Sequence, residues 1–257
     1  MDTRVGLLSA FSRTFIPGVV KVEAERFGFP YLADLLAGGG ELEYGQLTTC
    51  RLLHKYKLVN LPAARIEALL ADHVAGALNV CRYFDPAAND VFCLNLDNNH
   101  RTESTALIPE MTLAVDALRS CLAAAGCEPL VVASGRGFHV WGRLDSPVPN
   151  ARLHDFMLRA AARALLAVHE AGRDHRELKV NSYPDVRIAN VVSLRLFGSI
   201  HAKTRVFSHV TARDGTPLDE AASWRTFEEF ISRQTLSSTA FEAAHRSLGG
   251  DGPASAT

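Results

Sequence analysis

Phe92-Cys93-Leu94-Asn95-Leu96-Asp97-Asn98-Asn99-His100 is the stretch whose reading decides the fold. Phe92, Leu94 and Leu96 alternate with Cys93, Asn95 and Asp97. That is the period of a strand with one apolar and one polar face. Side chains two apart on a strand share a face, so Asn95 and Asp97 stand about 7 Å apart on the polar one. Two oxygen donors at that spacing suit a divalent cation of the Mg²⁺ kind, which prefers carboxylate and carbonyl oxygen. An Asn/Asp cluster that ends a strand in a turn has the same composition. The stretch therefore has to be weighed with its surroundings.

Outward from it, the periodicity changes between two and 3.6. Ala63–Gly76 places Ile66, Leu69, Leu70 and His73/Val74 on one helical face. Met111, Val115, Leu118 and Leu122 predict a helix over about 109–125, with Gly126 as its stop. Leu130–Ser134 and Phe138–Trp141 read as strands joined by Gly135-Arg136-Gly137. Arg152–Ala171 is an amphipathic helix, with Leu153, Phe156, Met157, Ala160, Ala164, Leu165 and Val168 as a packing stripe. Val191–Leu196 and Arg205–Val210 read as further strands. Strands and helices mixed without regular βαβ alternation predict an α+β fold. The expected divisions are a mainly helical region 1–80, a core 81–246 and a small, polar, disordered tail 247–257.

Two more polar segments accompany the first. Ser134-Gly135-Arg136-Gly137-Phe138-His139 has two glycines that let backbone approach an anion, with Arg136 and His139 as donors. A glycine-rich hairpin with an exposed Arg reads the same way. The third runs from Tyr183-Pro184-Asp185 to Leu194-Arg195-Leu196-Phe197-Gly198-Ser199-Ile200-His201-Ala202-Lys203-Thr204. It supplies a carboxylate and then Arg, Ser, His and Lys. A P-loop is excluded there, because Phe197 and Ala202 occupy the positions where that motif needs glycine.

Charge is unevenly spread. The net charge is −1, yet residues 130–213 carry thirteen Lys/Arg against six Asp/Glu. A basic third of this kind suits phosphate or nucleic acid, and equally a solvated helix surface. Hydrophobic residues at 47% and charged ones at 21% exclude a disordered or collagen-like chain. No apolar run approaches the roughly 18 residues of a membrane helix. Asp2, Arg4 and Arg13 interrupt the N-terminus where a signal peptide would need an apolar core. Five cysteines without a C-x-x-C pair read as reduced thiols, which with the rest gives the expectation of a cytoplasmic protein and no membrane partner.

Taken in order, the three segments resemble the archaeo-eukaryotic primase superfamily, which includes primase small subunits, primase-polymerases and the polymerase domains of bacterial end-joining ligases. The resemblance covers about residues 90–210. It rests on Asn95-Leu96-Asp97 for D-x-D, on Ser134–His139 for S-G-x-G-x-H, on Asp185, and on Gly198–Thr204 for the S-x-H-x-K-T segment. It implies a primase-polymerase-like core, with a site in a cleft between an N-terminal α/β unit and an RRM-like unit. It implies template-dependent nucleotidyl transfer, as primer synthesis or extension. The partners would be a single-stranded nucleic acid template, nucleoside triphosphates and a separate helicase or accessory subunit. Asp97, Asp185 and Asn95 would be the catalytic metal-holding residues, for two Mg²⁺ or Mn²⁺ ions. Ser134, Arg136, His139, Arg195, His201 and Lys203 would bind the triphosphate. The chain departs from the pattern at Asn95, where the family has an acid; Asp97 with Asn99 is the other possible register. One carboxylate fewer opens the alternative of a catalytically weakened subunit that binds nucleotide or nucleic acid. Some relatives carry zinc, but neither Cys50 with His54 nor Cys121 with Cys127 makes a four-ligand pattern, so none is expected.

Overall fold

The alternation around Asn95 does form a long strand, β4 (Ala88–Asn98), inside a sheet with a neighbour on either side. The structure is a computed structural model that describes residues 2–11, 47–48, 51–52, 63–76, 79–98, 108–185, 192–201, 206–233 and 235–250. Six helices and nine strands lie among the described residues, and the chain divides into two units. One comprises Met1–Phe84 with Ile188–Ser208, the other Asp85–Arg187 with His209–Thr257.

In the second unit, β4 is joined by β5 (Leu130–Ala133), β6 (Phe138–Pro149), β7 (Leu178–Tyr183) and β9 (His209–Val210). The order is β7-β4-β6-β5-β9, antiparallel throughout. Alternation decides what each face does. Phe92, Leu94 and Leu96 of β4 and Phe138, Val140 and Leu144 of β6 enter one buried cluster. Helices α3 (Ile108–Ala123) and α4 (Asn150–Glu170) cover that face. They bring Met111, Val115, Leu118 and Leu122, and Leu153, Phe156, Met157 and Val168, at helical spacing. Phe92 meets Phe156 edge-on at 5.7 Å between ring centroids, and Phe156 lies 5.1 Å from Phe241. Each such ring contributes about 1.5–3 kcal/mol by leaving water.

Three elements of this unit go beyond the sequence expectation: β7, α5 (Glu220–Arg233) and α6 (Ser238–Ser247). Helix α6 starts on a Ser237 cap that accepts the Ala240 N–H, and it adds Phe241 and Ala244 to the cluster. Helix α5 packs against β5 and β9, and its Ile231 carbonyl accepts from the Arg143 guanidinium.

The first unit contains α1 (Thr3–Phe11), α2 (Ala63–Val74) and an antiparallel pair of β3 (Cys81–Phe84) with β8 (Val192–Arg195). A short pair of β1 (Leu47–Thr48) and β2 (Arg51–Leu52) also belongs to it. Helix α1 packs on α2, burying Val5, Leu8 and Phe11, with Leu69 and Leu70 buried on α2. Arg82 is buried between the Phe11 and Phe84 rings, 5.2 and 5.8 Å from their centroids, and donates to the Phe11 carbonyl. That contact ties α1 to β3 and gives a cation removed from water one hydrogen bond and two ring faces. No helix among the described residues is long and apolar enough to cross a membrane.

Candidate functional site

With Phe92, Leu94 and Leu96 turned into the core, Cys93, Asn95 and Asp97 occupy the other face of β4. Pairing sets their neighbours. One row across the sheet reads Asn181, Asn95, His139, Val132 and Val210. Asn95 therefore stands directly between Asn181 of β7 and His139 of β6. Lys179 of β7 stands directly opposite Asp97. Directly opposed residues have Cβ atoms about 4.5–5.5 Å apart, close enough to share a ligand.

The turn between β5 and β6 brings the second motif to the same place. The Ser134 N–H donates to the Gly137 carbonyl at 2.9 Å, closing the loop. Gly135 takes φ +100°, a backbone conformation that side-chain-bearing residues rarely adopt. Gly137 passes so close to β4 that a Cβ built on it would lie 2.0 Å from the Leu96 carbonyl oxygen. The second glycine of the motif thus serves the contact with β4. Between the two glycines, Arg136 reaches Asp97, with Nη2 3.2 Å from Oδ2. The two side chains are 24% and 23% exposed, so the pair sits at the edge of solvent rather than inside. Ser134 and His139 are buried, and the His139 ring meets Trp141 edge-on at 6.1 Å.

The structure thus brings together five of the residues nominated from sequence: Asn95, Asp97, Ser134, Arg136 and His139. Asp185 lies in the same unit, half-buried, two residues beyond the end of β7. Register does not set it opposite Asp97; Tyr183 already pairs with Cys93, and Lys179 holds the place across from Asp97. Arg195 and His201 belong to the other unit. Arg195 ends β8, opposite Cys81. His201 is buried, and its N–H donates to the Val206 carbonyl at 2.9 Å. Lys203, Asn99, His100, Cys50 and His54 lie outside the described residues.

Lys179 and Asn181 border the candidate site by register, and the sequence reading missed them. Leu178-Lys179-Val180-Asn181 carries the alternation that would have found them. Cys93 shares the polar face, but burial pushes its thiol well up, so it stays protonated and is a poor metal ligand.

Asp97 offers carboxylate oxygens and Asn95 an amide oxygen on one face, and this donor chemistry fits one hard divalent cation. Such a cation needs only one or two protein carboxylates when phosphates and water complete its shell. Among the described residues, no group of three or more His, Cys, Asp or Glu is placed to hold a metal ion by itself.

No protein-family model matches the chain, and no curated protein does. Among solved structures, the polymerase domain of Ligase D from Mycobacterium tuberculosis, in complex with DNA, aligns at a TM-score of 0.42 and 18% identity, over 83% of this chain and 73% of that one.

Proposed function

We propose that this chain performs template-dependent nucleotidyl transfer from nucleoside triphosphates, as a primase-polymerase-like protein whose five-stranded sheet is the RRM-like unit. The observation that carries the reading is the convergence of two motifs far apart in sequence, with Asn95 paired to His139 and Asp97 ion-paired to Arg136 across 39 positions. A divalent cation, Mg²⁺ or Mn²⁺, would neutralise phosphate charge and favour ionisation of the attacking hydroxyl. Asp97 and Asn95 would hold it, with Asp185 as the further carboxylate of a two-cation centre. Ser134, Arg136 and His139 would donate to phosphate oxygens, and Arg195, His201 and Lys203 are assigned to the same triphosphate from the resemblance. In the reaction, a 3′-hydroxyl oxygen bonds to the α-phosphorus, its proton passes to water, and the bond to the β-phosphate oxygen breaks to release pyrophosphate. A single-stranded template would direct the choice of nucleotide, and unwinding would fall to another chain.

A second reading is favoured by Asn95 and by the hold of Arg136 on Asp97: a relative that binds nucleotide or nucleic acid with weakened chemistry. Removing one negative charge beside a divalent cation lowers its affinity. The experiment is incorporation on a primed and an unprimed single strand, with Mg²⁺ or Mn²⁺, for the protein beside Asn95→Asp and Asp97→Ala. Incorporation that rises in Asn95→Asp and falls about 100-fold or more in Asp97→Ala is expected from the first reading. Triphosphate binding without incorporation, even in Asn95→Asp, selects the second. Absence of both rejects the assignment.

A further inference from the structure

Resting on that reading, we propose that Arg136 and Lys179 guard the Asp97 carboxylate, and that a divalent cation gains Asp97 only when a phosphate-bearing ligand draws the two cationic side chains away. Three observations lead there. Arg136 already occupies Asp97, at 3.2 Å, so a guanidinium stands where a cation would have to bind. Lys179, exposed on β7, is directly opposite the same carboxylate. This patch therefore carries one negative and two positive side chains, and it attracts an anion ahead of a bare cation. Thirdly, the Arg136 Nε is buried with no hydrogen-bond partner among the described residues. A guanidinium donor left unmade is costly, and a phosphate oxygen supplies what the Asp97 contact does not.

The backbone around Arg136 favours a side-chain exchange over a loop movement. Gly137 is packed against the Leu96 carbonyl, and the Ser134–Gly137 hydrogen bond closes the turn. Turning the Arg136 side chain toward a phosphate frees Asp97 without unpicking the sheet. The phosphates that take Arg136 and Lys179 also bring oxygen ligands, so the cation arrives where half its shell is supplied. No covalent bond changes in this exchange; the order of loading is nucleotide with cation, not cation alone.

The test is Mn²⁺ binding to the full chain, followed by electron paramagnetic resonance of free Mn²⁺ without nucleotide. It is set beside binding of a methylene-bridged triphosphate analogue in EDTA. Arg136→Ala is expected to tighten Mn²⁺ about fivefold, as the competing charge leaves, and to weaken the analogue about tenfold. Lys179→Ala moves both in the same directions by less. Arg136→Lys restores the original pattern, and adding Asp97→Ala to Arg136→Ala abolishes the Mn²⁺ gain. If Arg136→Ala loses the analogue while Mn²⁺ affinity stays level or falls, the guarding role is overturned and the nucleotidyl-transfer reading stands. If Mn²⁺ tightens but no variant or parent binds the analogue, the exchange and that reading fail together.

Discussion

The turn at 134–139 is seated by backbone, whereas the segment at 194–201, beyond its pairing with β3 at Leu194 and Arg195, is seated largely by side chains. In the first, β6 pairs with β4 and β5, and Gly137 lies against the Leu96 carbonyl. In the second, α2 and the residues after it reach across. The Asn79 amide donates to the Ile200 carbonyl at 2.7 Å and accepts the Ile200 N–H at 3.0 Å. His73 accepts the Val80 N–H at Nδ1, 3.0 Å away, which leaves Nε2 protonated to donate to the Phe197 carbonyl at 2.8 Å. Beyond the pairing of β8 with β3, one backbone bond among the described residues joins them, from Leu196 N–H to the Val80 carbonyl at 3.0 Å. A ladder spreads its hold over many residues and is vulnerable where a side chain is added. Latches concentrate the hold in two side chains, so they yield to single truncations and, in the case of His73, to protons.

Gly137→Ala should have the largest effect. The added methyl cannot coexist with the Leu96 carbonyl, and displacing β6 from β4 should cost about 3 kcal/mol or more. Urea unfolding measures it; a midpoint equal to the parent's would show that the ladder yields easily and that the two segments do not differ in this way.

Next comes acid. Burial lowers the His73 pKa from its ordinary 6.5 to about 4, with the Arg195 charge adding to it and the Phe197 hydrogen bond opposing it. Between those values the unfolded chain holds the extra proton and the folded one does not. Stability is thus complete above pH 6.5 and falls as the pH drops toward 4, by an amount on the order of 3 kcal/mol. Hydrogen exchange at pH 7 and pH 5 should show protection lost around 194–201 more than around 134–139. His73→Gln should flatten that difference, and equal losses in both segments would contradict the assignment.

Asn79→Ala removes both bonds to Ile200, leaving its backbone polar groups to find other partners, and should cost about 2 kcal/mol. The loss should appear as faster exchange in 194–201 at every pH, with 134–139 unchanged. Ser199→Ala is the mildest. Ser199 is buried and its hydroxyl lies 2.9 Å from that of Ser208, so its first role is to hold this turn. A loss of about 1 kcal/mol is expected by thermal unfolding. A loss of triphosphate affinity at unchanged stability would instead give Ser199 a place at the ligand.

Much of this molecule follows from local pattern. The two-residue alternation from Phe92 to Asp97 assigned the core face and the polar face of β4 before any partner strand was known. The stripe from Leu153 to Val168 did the same for α4, because burial on one side is a property of the segment itself. The glycines of 134–139 announced a tight turn for a reason equally local. Pairing is different. The placement of Leu178–Tyr183 beside β4, which sets Lys179 against Asp97 and Asn181 against Asn95, joins residues some 85 positions apart. Nothing in either segment names the other, since many strands of that alternation could bury the same apolar face. The same holds for β3 with β8, and for β9, which falls within the strand read over Arg205–Val210 but whose place beside β5 nothing local announces. His73 is the sharpest case. On a helical face it reads as one more core position, and only the folded chain shows it gripping Val80 and Phe197. Period is written within a segment. Partnership is chosen by the whole chain, through the apolar surface it can bury and the buried polar groups it must satisfy.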